Sequence, residues 1–124
     1  MQRVLIVDDE RLVADTLALV FQKSGFEAHA AYTVNTAMVD VRTFRPDLLL
    51  CDITMPGKDG LALVREITRE LPSCRIIVLT GFYSNLKIVR EEANRLSLPV
   101  SILTKPCQPT DLLREANSLL GAIA

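Results

Sequence analysis

The chain has 124 residues, 49% of them hydrophobic and 23% charged, with 14 Lys+Arg against 15 Asp+Glu and a net charge of −1. That fits one domain over 1–124 with a core of its own and excludes a disordered tail. The balanced charge gives no footprint for direct nucleic-acid binding, and no apolar run approaches the roughly 20 residues of a membrane span.

Val4-Leu5-Ile6-Val7 is a short branched run ending at Asp8-Asp9-Glu10, as in a strand buried on both faces. Val13, Leu17, Val20 and Phe21 then follow a helical stripe, and Ser24-Gly25 stops it. Residues 27–31 make a weak second strand. Thr33 is an N-cap for a helix with Val34, Ala37, Met38 and Val41 inward, and Pro46 follows its end. Leu48-Leu49-Leu50-Cys51 is the clearest strand, closed by Asp52. A loop over 55–60 contains Pro56-Gly57 and Asp59-Gly60, and a third helix runs from about Leu61 to Leu71. Arg75 to Leu79 is the fourth strand. Leu86, Val89, Ala93 and Leu96 mark a fourth helix, Val100 to Leu103 a fifth strand, and Pro109 opens a last helix facing the core through Leu112, Ala116, Leu119 and Leu120.

Five β-α units imply an α/β protein: a parallel five-stranded sheet with helices on both faces, a three-layer α/β/α sandwich. In such sheets ligands bind beyond the carboxyl ends of the strands, and polar residues collect there: Asp8 and Asp9 after the first strand, Asp52 after the third, Thr80 after the fourth, Thr104, Lys105 and Pro106 after the fifth. Three carboxylates on one edge repel one another, and a hard divalent cation relieves this; Mg²⁺ (or Mn²⁺) takes oxygen ligands of this kind. With Lys105 as a fixed cation and Thr80 as a hydroxyl donor, the set suits a phosphoryl acceptor. Each element alone reads equally as a turn or helix cap; their joint placement on four strand ends carries the inference.

With these motifs in order, the chain resembles the receiver domains of two-component response regulators over its whole length. The carriers are Val7-Asp8-Asp9-Glu10, the run from Pro46 to Gly60 with Asp52-Ile53-Thr54-Met55-Pro56, Val78-Leu79-Thr80-Gly81, and Leu103-Thr104-Lys105-Pro106. The resemblance implies a flavodoxin-like (βα)5 fold with strand order 2-1-3-4-5, in either a stand-alone regulator like those of chemotaxis or the receiver of a longer regulator or hybrid kinase. It implies Asp52 as phosphoacceptor, Asp9 as a direct Mg²⁺ ligand, Asp8 as a ligand mainly through water, and Asp52 and the Thr54 carbonyl as further ligands. Lys105, the Thr80 hydroxyl and the N–H groups of Thr54 and Gly81 would hold phosphoryl oxygens. The partners implied are a sensor histidine kinase or phosphotransfer protein and an unidentified effector, with a homodimer as an open alternative. The chain would not be an enzyme beyond its own phosphorylation and dephosphorylation, and phosphorylation would reshape the face made by the fourth helix, fifth strand and fifth helix.

Several positions depart from the family pattern. Ile102 stands where an aromatic residue is usual, which keeps a phosphorylation-independent docking or dimerisation module as the alternative. Ser97-Leu98-Pro99-Val100 replaces the usual Gly-Ala turn. Phe82 is placed to shield the phosphoryl group, and Cys107 replaces a common Phe as a small core-facing residue. No signal peptide is visible, and the three cysteines, Cys51, Cys74 and Cys107, lack disulfide or metal-knuckle spacing. They read as reduced thiols in a cytoplasmic protein, with Cys74 the most exposed. A flavin carrier would want a phosphate loop after strand one, and an aspartate-nucleophile phosphatase an Asp-x-Asp there; neither is present.

Overall fold

The computed structural model describes residues 1–53, 60–81, 87, 90–91, 94–95 and 100–121. Its elements run β1 (Arg3–Val7), α1 (Arg11–Lys23), β2 (Glu27–Ala31), α2 (Val34–Phe44), β3 (Leu48–Asp52), α3 (Gly60–Glu70), β4 (Arg75–Thr80), β5 (Val100–Thr104) and a C-terminal helix (Pro109–Leu119). Between β4 and β5, Lys87, Arg90, Glu91, Asn94 and Arg95 are helical and exposed, the polar complement of the stripe expected there. Leu86, Val89, Ala93 and Leu96 themselves lie outside the described residues, as do Ser97 to Pro99.

All five strands are parallel, in the order β2-β1-β3-β4-β5. The order follows from strand character. β1, β3 and β4 are branched and apolar, buried along nearly their whole length, and fill the sheet centre, where both faces are covered. The weaker β2 and β5 take the edges. Alternate strand residues feed two separate cores. Leu5, Val7, Leu49, Cys51, Ile76 and Val78 pack with α2 and α3. Val4, Ile6, Leu48, Leu50, Ile77 and Leu79 pack with α1 and the C-terminal helix.

The helix ends show local sequence chemistry. The Thr33 hydroxyl oxygen accepts from Thr36 N–H at 3.0 Å, an N-cap satisfying one of the orphan donors of α2. Gly25, at φ +97°, turns the chain after α1. At the end of α2, non-glycine Arg45 takes φ 51°, and its N–H donates to the Val41 carbonyl at 2.9 Å; Pro46 disfavours a further helical residue before it. Gln108 and Asp111 form a reciprocal cap at the C-terminal helix, with Pro109 in its first turn.

Two expectations need correction. The stripe of α1 centres on Ala14, Leu17, Ala18 and Phe21; Val13 and Val20 flank it half-buried, because small Ala14 and Ala18 let the helix approach the sheet closely. In the C-terminal helix, Leu112 and Ala116 are buried, and the half-buried Leu119 and Leu120 pack on the same core, as the sequence suggests. Cys74 is buried, not exposed: it sits against the α2/α3-side core, and burial pushes its thiol up to about 12. The half-buried Cys107 is the most accessible thiol, and it packs on the other core as the sequence suggests.

Candidate functional site

The parallel register brings the carboxyl ends of β1, β3, β4 and β5 to one rim. Each residue there is pinned by a neighbouring strand. Asp8 N–H donates to the Ala31 carbonyl at 3.1 Å, Ile53 N–H to Leu79 at 3.1 Å, and Lys105 N–H to Thr80 at 2.9 Å. The backbone ladder therefore fixes the positions from which the side chains project.

Asp8, Asp9 and Asp52 each present one carboxylate oxygen such that all three lie within 4.8 Å of one another. Asp8 is 1% and Asp52 3% exposed, whereas Asp9 is exposed. Lys105 Nζ donates to Asp52 Oδ2 at 2.7 Å and lies 3.9 Å from Asp8 Oδ2. Glu10 N–H donates to Asp8 Oδ1 at 2.9 Å, but Asp8 Oδ2 is buried with no hydrogen-bond partner. Burial first, then the charges of Asp52 and Asp9, raise the Asp8 carboxyl above its ordinary value, against the pull of the Glu10 N–H and Lys105. Lys105 is also raised: its contacts with Asp52 and Asp8 outweigh the opposing effect of burial.

The cluster fits a hard divalent cation. Its donors are all carboxylate oxygens, it carries three acids against one lysine, and a buried oxygen lacks a protein donor. Thr80 is fully buried at the last rung of β4. Gly81 is exposed, and a methyl group there would meet only Lys105 Cδ at 3.9 Å, so its small size leaves the rim open without being sterically required. Thr54 and Phe82 lie outside the described residues. Ile102 is half-buried and packs on the α2/α3-side core.

Two features were not read from the sequence. Beside Lys105 an open apolar cleft of about 600 Å³ runs between α1 and the C-terminal helix, lined among others by Leu12, Val13, Leu17, Pro106, Cys107 and Leu112; Leu12 is 80% exposed at its edge. Next to the acidic pair, the Arg11 guanidinium lies 4.3 Å from the Tyr32 ring centroid, and Tyr32 O–H donates to Asp15. This brace ties the residue after β2 to the first two turns of α1. Arg11 and Asp15 are one helical turn apart in sequence, but Tyr32 reaches them only through the fold.

The response regulator receiver domain model matches residues 4–117. Similar solved structures include a CheY-like receiver domain protein from Methanospirillum hungatei JF-1, with 25% identity, a TM-score of 0.87, and 98% of this chain and 95% of that one covered. The chemotaxis protein CheY4 of Vibrio cholerae matches at 25% identity and TM-score 0.84, covering 96% of this chain and 98% of its own. NtrX from Brucella abortus matches at 26% and 0.84, but over 97% of this chain and only 27% of its own. The fold and the family match thus define a receiver module of two-component signalling. The chain belongs to the response regulator receiver domain family.

Proposed function

We propose that Asp52 is the phosphoryl acceptor of this receiver and that a sensor histidine kinase or phosphotransfer protein is the donor. The observation that carries this is the meeting of Asp52 with Asp8, Asp9 and Lys105 at one rim, Lys105 Nζ being 2.7 Å from the acceptor carboxylate. A carboxylate oxygen of Asp52 attacks the phosphorus of a phosphohistidine. The P–O bond forms as the P–N bond breaks, and the leaving electron pair returns to the imidazole. The product on this chain is an acyl phosphate.

The protein's part is positioning and charge compensation. Lys105 gives up part of its contact with Asp52 to hold a phosphoryl oxygen, and its stem, packed along the cleft wall, fixes where the ammonium sits. The Thr80 hydroxyl donates to a second oxygen. Asp8, Asp9 and Asp52, with the Thr54 carbonyl implied by the family pattern, would hold Mg²⁺ or Mn²⁺, which when bound supplies the positive charge that the acids and the phosphoryl group require. The apolar cleft beside Lys105 offers the donor domain a surface to bury while its histidine reaches the rim.

The test is incubation with acetyl phosphate and Mg²⁺ followed by intact-mass measurement. The wild type should gain one phosphoryl group and Asp52→Asn none. An unlabelled wild type, or labelling that persists in the Asn variant, refutes the assignment. Ile102, an aliphatic β5 residue packed half-buried against the α2/α3-side core in place of an aromatic one, favours one second reading, a module that docks without phosphorylation. For that reading the unlabelled wild type is the expected result.

A further inference from the structure

The turn that carries Asp9 is gripped from both sides by two consecutive residues, the last of β2 and the one after it. Upstream, the Ala31 carbonyl accepts from Asp8 N–H at 3.1 Å. Downstream, the Arg11 guanidinium stands 4.3 Å from the Tyr32 ring centroid, and Tyr32 O–H donates to Asp15. Tyr32 is half-buried and packs on the core beneath α1, so it is a fixed post, whereas Arg11 and Asp15 are exposed. The start of α1 lacks the usual local supports. Glu10, at its N-cap, makes no side-chain cap hydrogen bond, and its first turn holds no acidic residue, so orphan N–H donors remain there. A cation at the first helical position also opposes the macrodipole. The Tyr32 ring face compensates Arg11 for that position.

The Glu10 N–H and the Lys105 ammonium hold the carboxylates of Asp8 and Asp52. Asp9 is exposed, so its carboxylate is placed by the backbone that carries it. A ligand that must first be ordered weakens binding, and the apparent affinity falls with the fraction of time the site is competent. We propose that Tyr32 is a positioning residue for the cation site: with Arg11 and Asp15 it locks the first two turns of α1, and so holds Asp9 where a divalent ion meets all three carboxylates. Tyr32 acts through the chain and not on the ion. The inference rests on the reading of the rim as a site for Mg²⁺ or Mn²⁺.

The test titrates Mg²⁺ alone into the full chain by calorimetry, with two substitutions that keep the net charge. Tyr32→Leu keeps an apolar side chain on the core and removes the ring and hydroxyl. Arg11→Lys, at an exposed position, keeps the charge and loses the planar stack. Affinity should fall about three- to tenfold in Tyr32→Leu, the loss for a site competent about a third to a tenth of the time, and about two- to threefold in Arg11→Lys. In the Tyr32→Leu background, Arg11→Lys should cost nothing further, since the two act as one unit. Hydrogen exchange separates positioning from general stabilisation. In metal-free Tyr32→Leu the amides of residues 9 to 12 should exchange faster than in the wild type, and Mg²⁺ should restore their protection. Wild-type Mg²⁺ affinity in either variant, or unchanged exchange at those amides, overturns the proposal while leaving the cation site standing. A wild type that binds no Mg²⁺ overturns both.

Discussion

Replacing Asp8 with Asn should stabilise the metal-free protein, and the structure says why. At an effective dielectric of about 20, a carboxylate pair no more than 4.8 Å apart repels by at least roughly 3.5 kcal/mol and an ammonium 3.9 Å away attracts by roughly 4.3 kcal/mol. The repulsion from Asp52 therefore offsets most or all of the attraction from Lys105, and exposed, water-screened Asp9 adds about 1 kcal/mol. What remains is the desolvation of a carboxylate that is 1% exposed with one oxygen unpartnered. Asn keeps an oxygen for the Glu10 N–H, loses the charge, and turns an amide N–H toward the acceptor oxygens of the cluster. We expect a gain of about 1–2 kcal/mol, or about 3–10 °C in melting temperature, in thermal unfolding followed by circular dichroism at pH 7.5 with EDTA. Saturating Mg²⁺ should raise the wild-type midpoint, by about 2.7 kcal/mol at a hundredfold excess over the dissociation constant, and raise the variant much less.

The pH dependence has a definite sign. The folded-state Asp8 carboxyl is raised above its unfolded value of 3.8, so the native state binds more protons between those two values. Metal-free wild type should gain stability as pH falls through the raised pKa, and Asp8→Asn should lack that contribution. A variant that melts well below the wild type in EDTA would refute the reasoning, because the Lys105 contact would then outweigh desolvation.

Leu12→Asp, at the exposed edge of the cleft, should slow phosphotransfer from a kinase or phosphotransfer protein at least tenfold while leaving labelling by acetyl phosphate unchanged; equal rates with the protein donor would remove the cleft from the docking surface. Native-state thiol titration should modify Cys107 first and leave Cys51 and Cys74 protected until unfolding, since both are buried and Cys74 is raised to about 12. Gly81→Ala should fold with less than about 0.5 kcal/mol change, because its new methyl meets only the flexible Lys105 stem; urea denaturation checks this.

Much of the site was legible before any coordinates. A parallel sheet gathers its ligand-binding residues at the strand ends, so Asp8, Asp9, Asp52, Thr80 and Lys105 could be picked out by their positions after apolar runs. The helix starts at Thr33 and Pro109 were equally local, because a cap is decided by the residues of one turn. Cys74 was misplaced for the opposite reason. A cysteine between a helix and a strand looks like a loop residue, and only the packing of α3 onto the sheet shows that it closes a core. The burial centre of α1 shifted from Val13 and Val20 to Ala14 and Ala18 because close helix–sheet approach selects small side chains, which a hydropathy stripe does not weigh.

By itself, then, the order of residues determined the five-unit α/β plan and the polar rim, since both depend on short-range periodicity and on the residues that come directly after each strand. Tertiary structure alone decided which carboxylate is desolvated, that Lys105 reaches Asp52 across 53 positions of chain, and that Tyr32 meets Arg11 and Asp15. Those depend on sheet register and on the dielectric around each group, which are set by residues far apart in sequence.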